Sequence, residues 1–266
     1  MIASFVLKLV SGIVLMWLLM PRKEVTDGFF RIQMLVVLGL CVLLVLTIQP
    51  DGTVPEGGVA SDGSHSELWF DAGSSVIRIA VMIAAGLAFA GHIVWKLGRR
   101  VPGAIAIYGV SALCLGSLID ASLARGWTLD SAHSLLSSVS AAAVLGATLT
   151  GMLLGHWYLT TPTMSIGPLS WFPWALAAAA GGRMLATCIS LERFGFESHD
   201  MVHWLWFLVR ILGGILVPLT VAIVVVRILK FRNTQSATGV LFAALILVFM
   251  GEMSAALLER DLRVPY

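Results

Sequence analysis

The sequence predicts an all-α, polytopic membrane protein: a bundle of about eight transmembrane helices with both termini on the outer, periplasmic side. Three observations predict it. The 266 residues are 58% hydrophobic and 12% charged, whereas a soluble domain is closer to a quarter charged. Apolar runs recur from end to end, and about 20 such residues cross the hydrocarbon as a helix that satisfies its own backbone. Lys and Arg gather in alternate connections, the asymmetry that sets orientation in a bilayer.

The elements follow in order. Residues 3–20 form an apolar run whose positive charges, Arg22 and Lys23, come after it. A secretory signal carries them before the run, so this one reads as a retained span. The second span covers 30–49. The stretch QPDGTVPEGGVASDGSHSELWFD at 49–71 is a loop by its Gly, Ser and Asp content. It has no Lys or Arg and carries Asp51, Glu56, Asp62, Glu67 and Asp71. Further spans follow at 75–95, 102–122, 133–157, 170–190, 202–228 and 237–258. The chain is therefore one transmembrane domain, 1–266, with an outer polar loop over 50–74. Ser137, Ser140, Ala141, Ala147, Thr148, Gly151 and Gly155 line the fifth span, and AAAAGG occupies 177–182 in the sixth. Small residues let helices approach closely, so both spans belong inside the bundle.

One set of connections holds Arg22, Lys23, Arg31, Lys96, Arg99, Arg100, Arg227, Lys230 and Arg232; the other holds Arg125, Arg193, Arg260 and Arg263. The first set is cytoplasmic by the positive-inside rule. A multi-pass protein of a bacterial inner membrane fits this pattern, with the lipid bilayer as its first partner. The net charge of +2 carries no nucleic-acid signal. Cys41, Cys114 and Cys188 lie in apolar runs without CxxC or CxxCH, which leaves disulfides, iron–sulfur ligation and c-type haem unsupported. No HExxH, GxSxG or DxxxD-type constellation is present, so no metal site is assigned.

The chemistry lies in charges inside the spans. Arg78, Asp120, His133, Arg183, His203, Arg210 and Glu252 all fall in the outer half of six different helices. Each Arg or Asp at a helix centre costs about 2.5–3.5 kcal/mol to insert. Such groups persist where they face the bundle interior and meet partners or water. On the seventh span His199, His203, Trp206, Arg210 and Gly213 recur at helical spacing. Two arrangements are open: a buried ion network that fixes helix register, or a polar cavity open to the outer face. Arginines outnumber acids in the cluster, and that surplus suits a quinone head group, haem propionates or a small anion. Haem b is a further possibility, held by His92 and His156 on the inner side or by His133 and His203 on the outer. His133 and His156 are about 35 Å apart along a helix, too far for fast electron transfer between two such haems.

The C-terminal residues RILGGILVPLTVAIVV, a short polar link and GVLFAALILVFMGEMSAALL resemble the last two spans of NrfD/DmsC-type membrane anchor subunits. Eight spans, outward termini and similar size add to the resemblance. It implies a quinone-reactive subunit without haem, acting near the outer surface beside a partner redox subunit. On this expectation Arg183 and Arg210 polarise the quinone oxygens, with Arg78 and His133 completing the binding set. His203 exchanges the proton, and Glu252 or Asp120 relays it outward. A respiratory or photosynthetic electron-transfer complex is the expected setting. An ion or small-solute transporter and a structural or assembly subunit are the alternatives.

Overall fold

The computed structural model describes residues 1–48, 74–123, 129–161, 164–196 and 200–262. Every regular element among them is helical: α1 (Ile2–Leu19), a 3₁₀ turn (Arg22–Glu24), α2 (Asp27–Thr47), α3 (Ser74–Lys96), α4 (Arg100–Leu123), α5 (Leu129–Thr160), α6 (Gly167–Phe194), α7 (Met201–Ile211), a π-turn (Leu212–Leu216), α8 (Val217–Lys230) and α9 (Thr234–Leu262). Among the described residues eight helices are long and apolar enough to cross a membrane, α7 to α8 making one crossing. The chain is a multi-pass membrane protein. Apart from Ser74, the polar loop expected over 50–74 lies outside the described residues, as do Arg125, His199 and Arg263. Several helices outrun their expected spans; α5 starts at Leu129 and α9 at Thr234. Their polar ends add turns that hydropathy alone does not count.

The first and last helices start and finish at one end of the bundle, where Lys8 Nζ lies 3.4 Å from Glu259 Oε2. We call this the terminal face. At the opposite face Trp157 Nε1 donates to Thr26 Oγ1 at 2.8 Å, and Ser165 Oγ donates to Glu24 Oε2 at 2.6 Å. Helices α5 and α1 are central: 67% and 61% of their apolar stretches are buried, against 28% for α3. α2, α3 and α4 pack in sequence to one side of α1; α6, α8 and α9 gather with α5 on the other. The small residues expected to place the fifth span inside the bundle, from Ser137 to Gly155, are buried.

The α1–α5 crossing depends on two glycines. A Cβ on Gly12 would overlap the Ala142 carbonyl, and one on Gly146 would overlap the Gly12 carbonyl. Lipid tails give helices no hydrophobic reason to associate, so this backbone-to-backbone approach supplies van der Waals contact instead.

One buried group on α2 stands out. Gln33 on α2 is 1% exposed, and neither its Oε1 nor its Nε2 has a hydrogen-bond partner among the described residues. An orphaned buried polar group costs about 1–3 kcal/mol. Gln33→Leu is therefore expected to raise the melting temperature of the purified protein in detergent. A lowered melting temperature would show that the amide has a partner.

Candidate functional site

Three charges meet in the interior of the α5–α9 half. Arg183 on α6 donates from Nε to Glu252 Oε1 at 3.1 Å and from Nη2 to Oε2 at 3.0 Å. This is the bidentate fork that guanidinium and carboxylate form when geometry is good. Arg210 at the end of α7 donates from Nη1 to Glu252 Oε1 at 2.9 Å and from Nη2 to Thr187 Oγ1 at 3.3 Å. Ser137 on α5 accepts from Arg183 Nη1 at 2.6 Å. Arg183, Arg210 and Glu252 are 1%, 0% and 4% exposed, so the triad is dry. Among the described residues, two guanidiniums converge on one carboxylate. Arg210 Nε is buried with no partner among the described residues. All three lie ~4–8 Å to the terminal side of the midpoint of their own crossing, at 1.5 Å per residue. The cluster is thus deeper than a site at the membrane surface.

Local sequence explains the meeting. Pro218 lacks the N–H that would bond to residue 214, and its ring crowds that carbonyl. The helix responds with the π-turn over Leu212–Leu216, the wider winding found at such interruptions. Gly213 and Gly214 sit in that turn, and α9 presses against them with Gly251. A Cβ on Gly251 would overlap the Gly214 nitrogen, and one on Gly213 would overlap the Leu247 carbonyl. The bare crossing brings Glu252, the next residue, against Arg210. A side chain on Gly214 would run into the Arg210 guanidinium.

From the terminal face a column of polar pairs runs between α5 and α6 down to the triad. At the top, Arg193 Nη1 lies 3.3 Å from Asp130 Oδ1. Next, His133 Nε2 is 3.0 Å from the Ala186 carbonyl oxygen and 3.2 Å from Ser190 Oγ. Ser137 and Arg183 come below. The column is written as helical spacing: Asp130, His133 and Ser137 on one helix, Arg183, Thr187, Ser190 and Arg193 on the other. On the far side of the triad Phe172, Leu176, Leu241 and Val248 are buried, together with the hydroxyls of Thr148, Thr150 and Thr238.

No protein-family model, no curated protein and no solved structure matches this chain. The likeness to NrfD/DmsC-type subunits rests on the C-terminal residues and topology alone.

The structure brings Arg183, Arg210 and Glu252 together, with His133 one turn above Ser137. It does not bring the other expected members to them. Asp120 is exposed, on α4, whose main neighbours are α3, α1 and α5. Arg78 is half-buried on α3, which packs on α2 and α4, and its Nε has no partner among the described residues. His203 is seven residues from Arg210, and its Nε2 lies 3.5 Å from Asp261 Oδ2. It belongs to the terminal-face rim, about 10 Å above the triad at 1.5 Å per residue.

The four histidines considered as haem ligands have separate surroundings among the described residues. His92 Nδ1 is 3.1 Å from the Arg31 carbonyl oxygen on α2, and His156 is exposed on α5. His133 turns to α6, whereas His203 turns to α9. Sequence spacing did not mark Ser190 or the Asp130–Arg193 pair as members of a polar column, and it read Ser137 only as a small packing residue. The i, i+3, i+4 pattern on α5 and α6 was the available signal.

Proposed function

We propose that the chain is the membrane-embedded subunit of an electron-transfer complex and binds a quinone head group against the Arg183–Glu252–Arg210 triad. The observation that carries this reading is the buried Arg210 Nε, a donor with no partner among the described residues beside the Glu252 carboxylate. A guanidinium donor fixed in a low-dielectric site stabilises charge that develops on a carbonyl oxygen, because no reorganisation is needed as the charge forms. Protons enter or leave by the α5–α6 column, in which His133 is the imidazole suited to exchange. By the positive-inside rule the terminal face is the outer face, so the column opens outward. A partner subunit supplies the redox centre that exchanges electrons with the quinone. A bacterial inner membrane is the setting that this reading implies.

A second reading is favoured by the burial itself. Triad members that are almost unexposed and bonded to one another form a clamp that fixes the register of α6, α7 and α9. This is the structural or assembly-subunit alternative. A transmembrane ion path gains less support, since beyond the triad the described residues of α5 to α9 bury no charge, only hydroxyls such as Thr148, Thr150 and Thr238 among apolar side chains.

The test is Arg210→Leu in the complex purified with its co-purifying subunits. Quinol-linked turnover is expected to fall about 10²-fold or more, the size of losing one preorganised donor, with subunit assembly retained. Normal turnover would sink the quinone assignment. Loss of assembly together with turnover would favour the clamp.

A further inference from the structure

At the opposite face, well away from the triad, the end of α5, the approach to α6 and the α8–α9 turn enclose a cavity of about 480 Å³. That volume is in the range of small-molecule sites, about 300–1,000 Å³. Tyr158, Met164, Ser165, Ile166, Arg232 and Thr234 line it.

Two kinds of surface meet in this lining. Tyr158 and Ser165 are engaged with the protein itself: the Tyr158 hydroxyl donates to the Ser165 carbonyl, and Ser165 Oγ donates to Glu24 Oε2. Arg232 and Thr234 are not. No described side chain pairs with the Arg232 guanidinium, and the Thr234 hydroxyl makes no described hydrogen bond. Met164 and Ile166 supply apolar wall beside them. The cavity therefore offers a free cation and a hydroxyl next to a greasy surface, at the level where helices leave the hydrocarbon.

The backbone at Arg232 adds a second observation. Its φ is 55°, the left-handed region that L side chains seldom adopt and that glycine fills at helix ends. Arginine holds this position at a conformational cost, and a glycine would close α8 more cheaply. Arg227 and Lys230 in the last turn of α8 and Lys23 in the 3₁₀ turn carry further positive charge on this face. The acid in contact with the lining, Glu24, is bonded to Ser165.

We infer that this cavity binds the phosphate of an anionic phospholipid head group. Arg232 and Thr234 hold the phosphate oxygens, and Met164 and Ile166 meet the glycerol and upper acyl carbons. Charge-assisted hydrogen bonds from a guanidinium to phosphate are among the stronger polar contacts available. The inference is independent of the quinone site, since none of these residues touches the triad.

The full chain in uncharged detergent is titrated with phosphatidylglycerol and, separately, with phosphatidylcholine, and retained lipid is counted by native mass spectrometry. Saturable retention of phosphatidylglycerol at one per chain is expected, with phosphatidylcholine lost. Arg232→Gly is expected to weaken retention about tenfold, as for loss of a charged hydrogen bond, while leaving the melting temperature unchanged or higher because glycine suits this backbone. Arg232→Lys is expected to keep most of the binding. Equal retention by wild type and Arg232→Gly, or equal retention of the two lipids, overturns the inference. Millimolar inorganic phosphate separates the sources: failure to displace the lipid supports the head group, and displacement would reassign the cavity to a water-soluble phosphate ester.

Discussion

Glu252→Leu is expected to destabilise the folded chain by about 3–5 kcal/mol, the range for removing one partner of a buried ion network. The variant leaves Arg183 and Arg210 facing one another in a dry interior with no carboxylate between them. Both the fork at 3.0 and 3.1 Å and the Arg210 contact at 2.9 Å disappear. The measurement is thermal unfolding in mild detergent, with the monodisperse fraction read by size-exclusion chromatography. A wild-type melting temperature would mean that another anion neutralises the two guanidiniums. The triple change Arg183→Met, Arg210→Met, Glu252→Leu refines the test. Apolar residues of similar volume often replace a buried ion network without loss of stability. Restored stability with no quinol-linked turnover would separate binding from clamping. Restored stability with restored turnover would leave the triad a clamp alone.

Gly146→Ala is the second large effect. Its new Cβ would overlap the Gly12 carbonyl, and the obstacle is backbone, which cannot rotate aside as a side chain can. Overpacking of this kind costs about 1–3 kcal/mol. Because α1 and α5 are the two most buried crossings, the strain falls where the bundle has least room to relax. Gly39→Ala is the matched control. Nothing lies within 4 Å of a Cβ at Gly39, so the helix preference for alanine, about 0.5–1 kcal/mol, is expected to show as a small gain. Melting temperatures of the two variants should move in opposite directions; a joint fall would mean that the α1–α5 approach is not the cause.

The crossings were legible in the sequence, and so, for the same reason, was the presence of charges inside them. An apolar run of helical length announces a span, and Arg183, Arg210 and Glu252 stand out because each interrupts such a run. Depth was legible too, since 1.5 Å per residue converts position into height. Neighbourhood was not. Arg78 and Asp120 lie toward the same end as the triad, yet α3 and α4 pack beside α1 and α2 rather than against α6 to α9. Periodicity reports which residues share a face of one helix and says nothing about which helix that face meets. The pair Gly213–Gly214 with Pro218 signalled room or a bend. The resulting π-turn, which sets where Arg210 points, depends on the close approach of Gly251 from a helix more than a loop away. His203 misled for a related reason: it shares a helix face with Arg210, but Asp261, one of its described neighbours, belongs to the rim.

The glycine contact at the centre of the bundle also bears on how the chain is made. α1 is synthesised four crossings before α5, its main packing partner. Gly146, which Gly12 touches, belongs to the fifth crossing, and at about 5–20 residues per second it emerges on the order of ten seconds later. Throughout that interval α1 has only lipid and its early neighbours for company, although Trp17 and Val10 end fully buried. A helix with a polar face suited to the finished interior would be a poor resident of the bilayer during the wait. The high mean hydropathy of α1, 2.2 over its span, answers to both surroundings in turn: lipid first, protein afterwards.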